Sequence, residues 1–345
     1  MPKALSQTPG PAFQEPLYSL QAGRALAAIA VLLLHADRII AGAQYGPMDF
    51  AHFWFSGGRL GVDFFFVLSG FIILHAHARD IGRPARLVRY LMRRATRIYP
   101  IYWVILSFSI IGFLLLGRRF GLVELARNVS LFDIYERDRL VTVAWTMFHE
   151  SLFYAAFAAL ILNRWLGGIV FAGWLLAVLW FQGAAGTPEV LTSPINLCFA
   201  AGMLACVCAH RLPGRVFALP LFMGIAGLVW LVWATHAARL ENAPEGALSA
   251  LFCGLVILGL AMADRVTAWR VPAALVFLGA ASYSIYLVQF ASLSAAGDAL
   301  VWAGAVRWLP PAVMIVLLTA FGVAAGCAAY WTIERPMLMR MRAKR

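Results

Sequence analysis

Arg215 and Arg239 bracket 23 residues, VFALPLFMGIAGLVWLVWATHAA, that include no Asp, Glu, Lys or Arg. A run of this length crosses the hydrocarbon of a bilayer as a helix. No water in that layer satisfies stray backbone N–H and C=O groups, so only helices and closed barrels span it. Comparable apolar runs recur from end to end. They predict an all-α, polytopic membrane protein of about ten transmembrane helices, at roughly residues 20 to 40, 60 to 77, 98 to 116, 140 to 162, 167 to 185, 194 to 210, 216 to 236, 247 to 264, 272 to 291 and 310 to 332. The composition agrees, with 62% hydrophobic and 13% charged residues and a mean hydropathy of +0.80.

A net charge of +12 on a soluble surface would suggest nucleic acid. Here the 28 basic residues lie mostly between the apolar runs. With the N-terminus in the cytoplasm, 19 of them fall on inner segments and nine on outer ones, so the positive-inside rule places both termini inside. Five of the outer nine sit in residues 117 to 139, beside Glu124, Asp133, Glu136 and Asp138, which makes that connection the exception. The expected organisation is a cytoplasmic tail at 1–16, a transmembrane domain at 17–336 and a basic cytoplasmic tail at 337–345. No segment reads as an appended soluble domain, and no nucleic-acid partner is expected. The five cysteines, all in apolar runs, lack metal-site spacing and read as small core residues.

Polar groups inside the apolar runs carry the functional signal, because ionisable side chains are expensive in hydrocarbon. In QAGRALAAIAVLLLHA, ten residues separate Arg24 from His35. Eleven helical positions are three turns and about 16 Å, so both lie on one face at different depths. An interfacial anchor and a snorkelling helix-end histidine would give the same pattern. The second run opens GVDFFFVLSGF, with Asp63 at the end nearest His35 and Ser69 about two turns deeper. A carboxylate bonded to the imidazole would fix its tautomer and raise its basicity, as a general base needs, while a helix-capping Asp63 facing water is the alternative. In AWTMFHESLFYAAF, Glu150 sits among aromatics with Tyr154 one turn on, and His149 points about 100° away. In FLGAASYSIYLVQF, Ser282, Tyr286 and Gln289 share a face, as ordinary interhelical packing also would arrange. His75 and His77 face different ways and make an unlikely metal pair. The segment HARDIGRPARLVRYLMRRATRIYP holds seven arginines. They would serve as a topology determinant, and the planar guanidinium also binds phosphate in bidentate fashion. Arg93, Arg94 and Arg97 stand at the mouth of the third run, on the same membrane face as Arg24.

Six motifs in order give the chain a family resemblance: Arg24 and His35 at their spacing, GVDFFFVLSGF at 61 to 71, RRATRIYPIYW at 93 to 103, WTMFHESLFY at 145 to 154, SYSIYLVQF at 282 to 290 and ERP at 334 to 336. From about Leu20 to Pro336 the chain resembles the acyltransferase-3 family of membrane O-acyltransferases, most closely its stand-alone members that acylate exopolysaccharide, capsule or lipopolysaccharide sugars. The resemblance implies a multi-pass protein of the bacterial inner membrane that moves an acyl group, most often acetyl, from cytoplasmic acyl-coenzyme A to a hydroxyl of a glycan or lipid-linked sugar. It implies no metal. Coenzyme phosphates would meet Arg24, Arg93, Arg94 and Arg97, and His35 would be the base; the positions of Asp63 and Glu150, beyond the resemblance, add them as further catalytic candidates. Ser69, Tyr154 and Tyr283 are candidates for the oxyanion donor, with Tyr286 as a further pocket residue. Many relatives carry a histidine where this chain has Gln289, which is expected only to line the pocket. Direct transfer and an acyl-histidine relay are both compatible with these residues. A transporter or flippase would use similar intramembrane charges, but it explains the clustered arginines less well.

Overall fold

The computed structural model describes residues 17–42, 54–133, 139–182, 184, 186–236, 245–267 and 269–343, which are helical with no strand among them. The N-terminal tail, most of the first connection, and Glu136 and Asp138 lie outside these residues. Long helices account for the bundle: α1 (Tyr18–Gly42), α2 (Leu60–His77), α3 (Leu87–Leu115), α5 (Trp145–Leu162), α6 (Arg164–Phe181), α8 (Leu197–Arg211), α9 (Ala218–His236), α10 (Glu245–Val266), α11 (Ala273–Trp302) and α12 (Pro311–Ala329). Two shorter helices, α4 (Leu122–Ser130) and α7 (Glu189–Thr192), lie in connections. A π-helical turn at Tyr330–Glu334 joins α12 to α13 (Arg335–Ala343).

Nine helices among the described residues are long and apolar enough to cross a membrane, against ten expected. The difference is α1, whose 25 residues include Arg24, Asp37 and Arg38 as well as His35. It nevertheless packs inside the bundle, against α11, α12 and α2. Its first turn is fixed by Asp264 at the end of α10, both of whose carboxylate oxygens accept from the Ser19 N–H at 3.1 Å. α2 and α10 are central, with 67% and 61% of their apolar windows buried, while α6, at 17%, turns most of its surface outward. Trp180 and Ile169 are exposed on that surface, as apolar side chains of a membrane-spanning helix are where lipid covers them.

Small residues set the central contacts, as in other membrane bundles. A Cβ on Gly202 of α8 would stand 1.8 Å from the Val67 carbonyl oxygen of α2, and one on Gly70 would stand 2.1 Å from that of Phe199. On α11, a Cβ on Gly279 would meet the Gln21 carbonyl of α1 at 2.1 Å, and 18 residues further along both helices, one on Gly297 would meet Ile39 at 2.9 Å. Thus α1 and α11 run parallel and in register. Ser282 lies level with Arg24, and Leu293 level with His35.

Two connections depart from the sequence reading. The arginine-rich segment is not a loop up to residue 97: α3 begins at Leu87, so Arg93, Arg94 and Arg97 stand on its first three turns, with Arg93 and Arg97 on one face. The 117 to 139 connection does not simply extend beyond the end of α3. Its α4 segment folds back along α3, where the hydroxyls of Tyr99 and Tyr102 and the Trp103 indole donate to the carbonyls of Ser130, Asn128 and Val129 at 2.7, 2.8 and 2.9 Å. Those side chains lie 12 to 16 residues before Leu115, about 18 to 24 Å along the helix. The bonds satisfy the last carbonyls of α4, which have no intrahelical partner. Arg118 neutralises Glu124 at 2.6 Å near the start of α4.

Candidate active site

Three cavities meet at Arg24 and Arg97, which line all of them. The largest, about 600 Å³, lies between α1, α3, α11 and the segment following α12. Its walls carry Arg24, Arg93, Arg94 and Arg97, with Gln21, Glu334 and Tyr330. The second, about 360 Å³, lies between α1, α2, α3 and α5 and holds Ser69, Glu150, Tyr154 and Arg94. The third is narrow, about 90 Å³, and runs as a corridor away from the arginines. Arg24, Arg97, Glu150 and Ser282 stand at its near end, and Val62, Thr146 and Tyr286 about one turn further on. Phe65, Phe66, Ile98 and Met147 make most of its wall apolar.

The four arginines singled out by the sequence thus converge on one cavity. Arg24 is half-buried, and its guanidinium donates to Gln21 Oε1 at 3.1 Å. Arg94 lies over the rings of Tyr90 and Tyr154 at 6.0 and 5.8 Å, a cation–π clamp that aims it at the junction. Glu150 accepts from the hydroxyls of Ser69, at 3.3 Å, and Tyr154, both through Oε1. The two carboxylates, Glu150 and Glu334, against four guanidinium groups leave this junction with excess positive charge, suited to a polyanion.

His35 lies elsewhere. It stands about 16 Å along α1 from Arg24 and lines none of the three cavities. Its ring meets Phe290 of α11 edge-on, with centroids 5.8 Å apart. The expected pairing with Asp63 is not formed. Gly61 faces α1, since a Cβ there would stand 2.6 Å from the Ala27 carbonyl. Asp63, two residues on, is rotated about 200° around α2. It therefore faces α8 and α10, on the side of Cys198 and Cys253.

The family model described as an acyltransferase domain matches residues 17–331. The chain belongs to the acyltransferase-3 family. It is an acyltransferase, as the resemblance implied. It is 32% identical over 309 residues to "Exopolysaccharide production protein ExoZ" of Rhizobium meliloti (strain 1021), covering 84% of this chain and 93% of that protein. It is 25% identical over 227 residues to "Putative peptidoglycan O-acetyltransferase YrhL" of Bacillus subtilis (strain 168), covering 59% of this chain and 34% of that protein. No solved structure matches significantly.

Within this acyltransferase the remaining candidates divide. Tyr286 lines the corridor edge-on to Phe65 at 6.2 Å. Tyr283 also lines it, but its hydroxyl donates to the Ile98 carbonyl at 3.0 Å. Ser69 and Tyr154 likewise give their protons to Glu150. All three candidates for the oxyanion donor are therefore committed to other acceptors. Gln289 is fully buried and lines none of the three cavities; neither end of its amide has a partner among the described residues. Glu334 and Ser282 are lining residues that the sequence reading did not assign to the site. Glu334, presented by the π-helical turn, accepts from Ser284 Oγ at 2.5 Å; its only sequence signal was the ERP motif.

Proposed function

We propose that the protein moves an acetyl group from cytoplasmic acetyl-coenzyme A to a hydroxyl of an exported or cell-surface glycan, working in the inner membrane of a bacterium. The observation that carries this reading is the convergence of Arg24, Arg93, Arg94 and Arg97 on one cavity of about 600 Å³ that continues, past Arg24 and Arg97, into a narrow corridor towards His35. Guanidinium forks suit the coenzyme phosphates. The corridor suits the slender arm that carries the thioester. That arm has about a dozen bonds between phosphate and sulfur, and at roughly 1.2 Å of advance per bond in an extended chain it spans roughly 14 Å. The Arg24 to His35 separation along α1 is about 16 Å.

In this reading the phosphates stay at the arginines and the thioester reaches the far end of α1. Tyr286 and Phe290 stand on α11 between the arginines and His35, so the arm must pass their rings to reach the imidazole. His35 takes the proton of the sugar hydroxyl as its oxygen attacks the thioester carbon. The tetrahedral intermediate collapses with loss of the coenzyme thiolate, and the proton returns from the imidazolium to that sulfur. The products are the O-acetyl sugar and coenzyme A. Glu150 stands at the arginine junction and not beside His35, so its role is to hold the charge and geometry of Arg24 and Arg97. The ExoZ likeness favours an exopolysaccharide acceptor.

Incubating the purified protein in lipid nanodiscs with radiolabelled acetyl-coenzyme A and surface glycan from a deletion strain tests the proposal. Label transferred to glycan supports it. Glycan that stays unlabelled while a known membrane O-acetyltransferase labels its own acceptor in parallel sinks it.

A further inference from the structure

We propose that Ser282 is the hydrogen-bonding post that recognises the flexible arm of the acyl carrier in the corridor, a reading that rests on the acetyl-coenzyme A assignment above. An accounting of hydroxyl protons carries the inference. Of the hydroxyls lining the corridor, that of Tyr283 goes to the Ile98 carbonyl at 3.0 Å, that of Thr146 to the Val143 carbonyl at 3.0 Å and that of Ser69 to Glu150 at 3.3 Å. Tyr286 presents its ring edge-on to Phe65 at 6.2 Å, further along the corridor. Ser282 Oγ is the buried hydroxyl among them that has no partner among the described residues, the residue being 1% exposed. A buried hydroxyl without a partner is destabilising, and alanine is the better helix former at such a position. A ligand group that enters the corridor supplies the partner.

Position decides which group that is. Ser282 is level with Arg24, as the contacts of Gly279 and Gly297 with α1 fix. It therefore lies about three turns from the level of His35, too far to touch a thioester carbonyl under attack there. Phosphate oxygens are served by the adjacent guanidinium forks. Between phosphate and thioester the arm offers neutral polar groups, a hydroxyl and two amides. A serine hydroxyl, both donor and acceptor, matches these, while the apolar wall of Val62, Phe65 and Met147 matches the methylenes. Ser282 is thus a determinant of donor specificity, favouring a carrier with an amide-bearing arm over a donor without one.

The test compares wild type and Ser282→Ala, purified in nanodiscs, with two donors. One is acetyl-coenzyme A. The other is S-acetyl-N-acetylcysteamine, which keeps the thioester and its nearest amide but lacks the rest of the arm and the phosphates. The substitution should raise KM for acetyl-coenzyme A about tenfold, leave kcat within about twofold and leave kinetics with the truncated donor unchanged. The Tm without donor should hold or rise, and the rise in Tm on adding coenzyme A should shrink. A fall in kcat with both donors would place the hydroxyl on the reacting carbonyl and overturn the proposal. Unchanged kinetics and an unchanged coenzyme A shift would mean that water alone satisfies Ser282, overturning it equally. Should wild type show no Tm shift with coenzyme A, the donor assignment fails and this proposal falls with it.

Discussion

The hydroxyl of Tyr154 donates to Glu150 Oε1, the same carboxylate oxygen that Ser69 reaches from α2. Two donors from different helices hold this carboxylate at the junction with Arg24 and Arg97. Glu150→Gln keeps a hydrogen-bond acceptor but removes the negative charge beside the arginines. Acetyl transfer should fall by about 10- to 100-fold, roughly 1.4 to 2.7 kcal/mol, with membrane abundance unchanged. Tyr154→Phe should cost less, because Ser69 still holds Glu150. Transfer assays paired with immunoblots of membranes check both, and an active Glu150→Gln enzyme would show that the carboxylate is only a structural acceptor.

The fold class and the arginine cluster were legible in the sequence because both follow from local facts. Apolar run length implies a membrane helix, and a fork-shaped cation in that setting implies an oxyanion. The relation of His35 to Asp63 was not legible. Their spans are neighbours, and Asp63 lies at the right height, but Gly61 decides which face of α2 meets α1, and that depends on where a missing Cβ lets the helices touch. The same limit hid Ser282: its position on a polar face of α11 was visible, but whether its proton was free depended on partners from α3 and α5. The return of α4 along α3 was also hidden, because its bonds go from aromatic side chains to backbone carbonyls, which carry no sequence signal.

Arg24→Lys should raise KM for acetyl-coenzyme A about tenfold or more. The ammonium keeps the charge but cannot reproduce the planar fork, and the bond to Gln21 Oε1 orients that fork. A donor titration at saturating glycan checks this. An unchanged KM would make Arg24 an interfacial anchor.

Gly202→Ala should destabilise the protein by about 1 to 3 kcal/mol or more, since the added methyl would stand 1.8 Å from the Val67 carbonyl at the central contact of α2 and α8. Reduced membrane abundance and a lower Tm in detergent should appear together. Gly173 of α6, where an added Cβ meets nothing within 4 Å, should accept alanine without loss. Equal behaviour of the two variants would refute the packing account.

The 19 to 9 division of basic residues predicts that both termini lie inside. Single cysteines introduced at exposed positions 83 and 86, in a background lacking the native five, should react with membrane-impermeant reagent only after the inner face is opened. A cysteine at Val129 should label more slowly than one at position 119, because α4 lies folded back against α3. Labelling of positions 83 and 86 from outside would invert the orientation and overturn the proposed cytoplasmic donor site.

His35 and Asp63 should act independently. His35→Gln should lower turnover by about 100-fold or more, as expected when a general base is lost. Any effect of Asp63→Asn would arise at the contact of α2 with α8 and α10. The double variant should then show the product of the two single effects, within about twofold, since residues without shared partners add in free energy to within about 0.5 kcal/mol. Residues that work as one unit behave otherwise, with the second loss costing almost nothing once the first has occurred. A double variant no slower than His35→Gln, alongside a clear single effect of Asp63→Asn, would mean that the carboxylate does serve the imidazole during turnover, and that α2 rotates to bring it there.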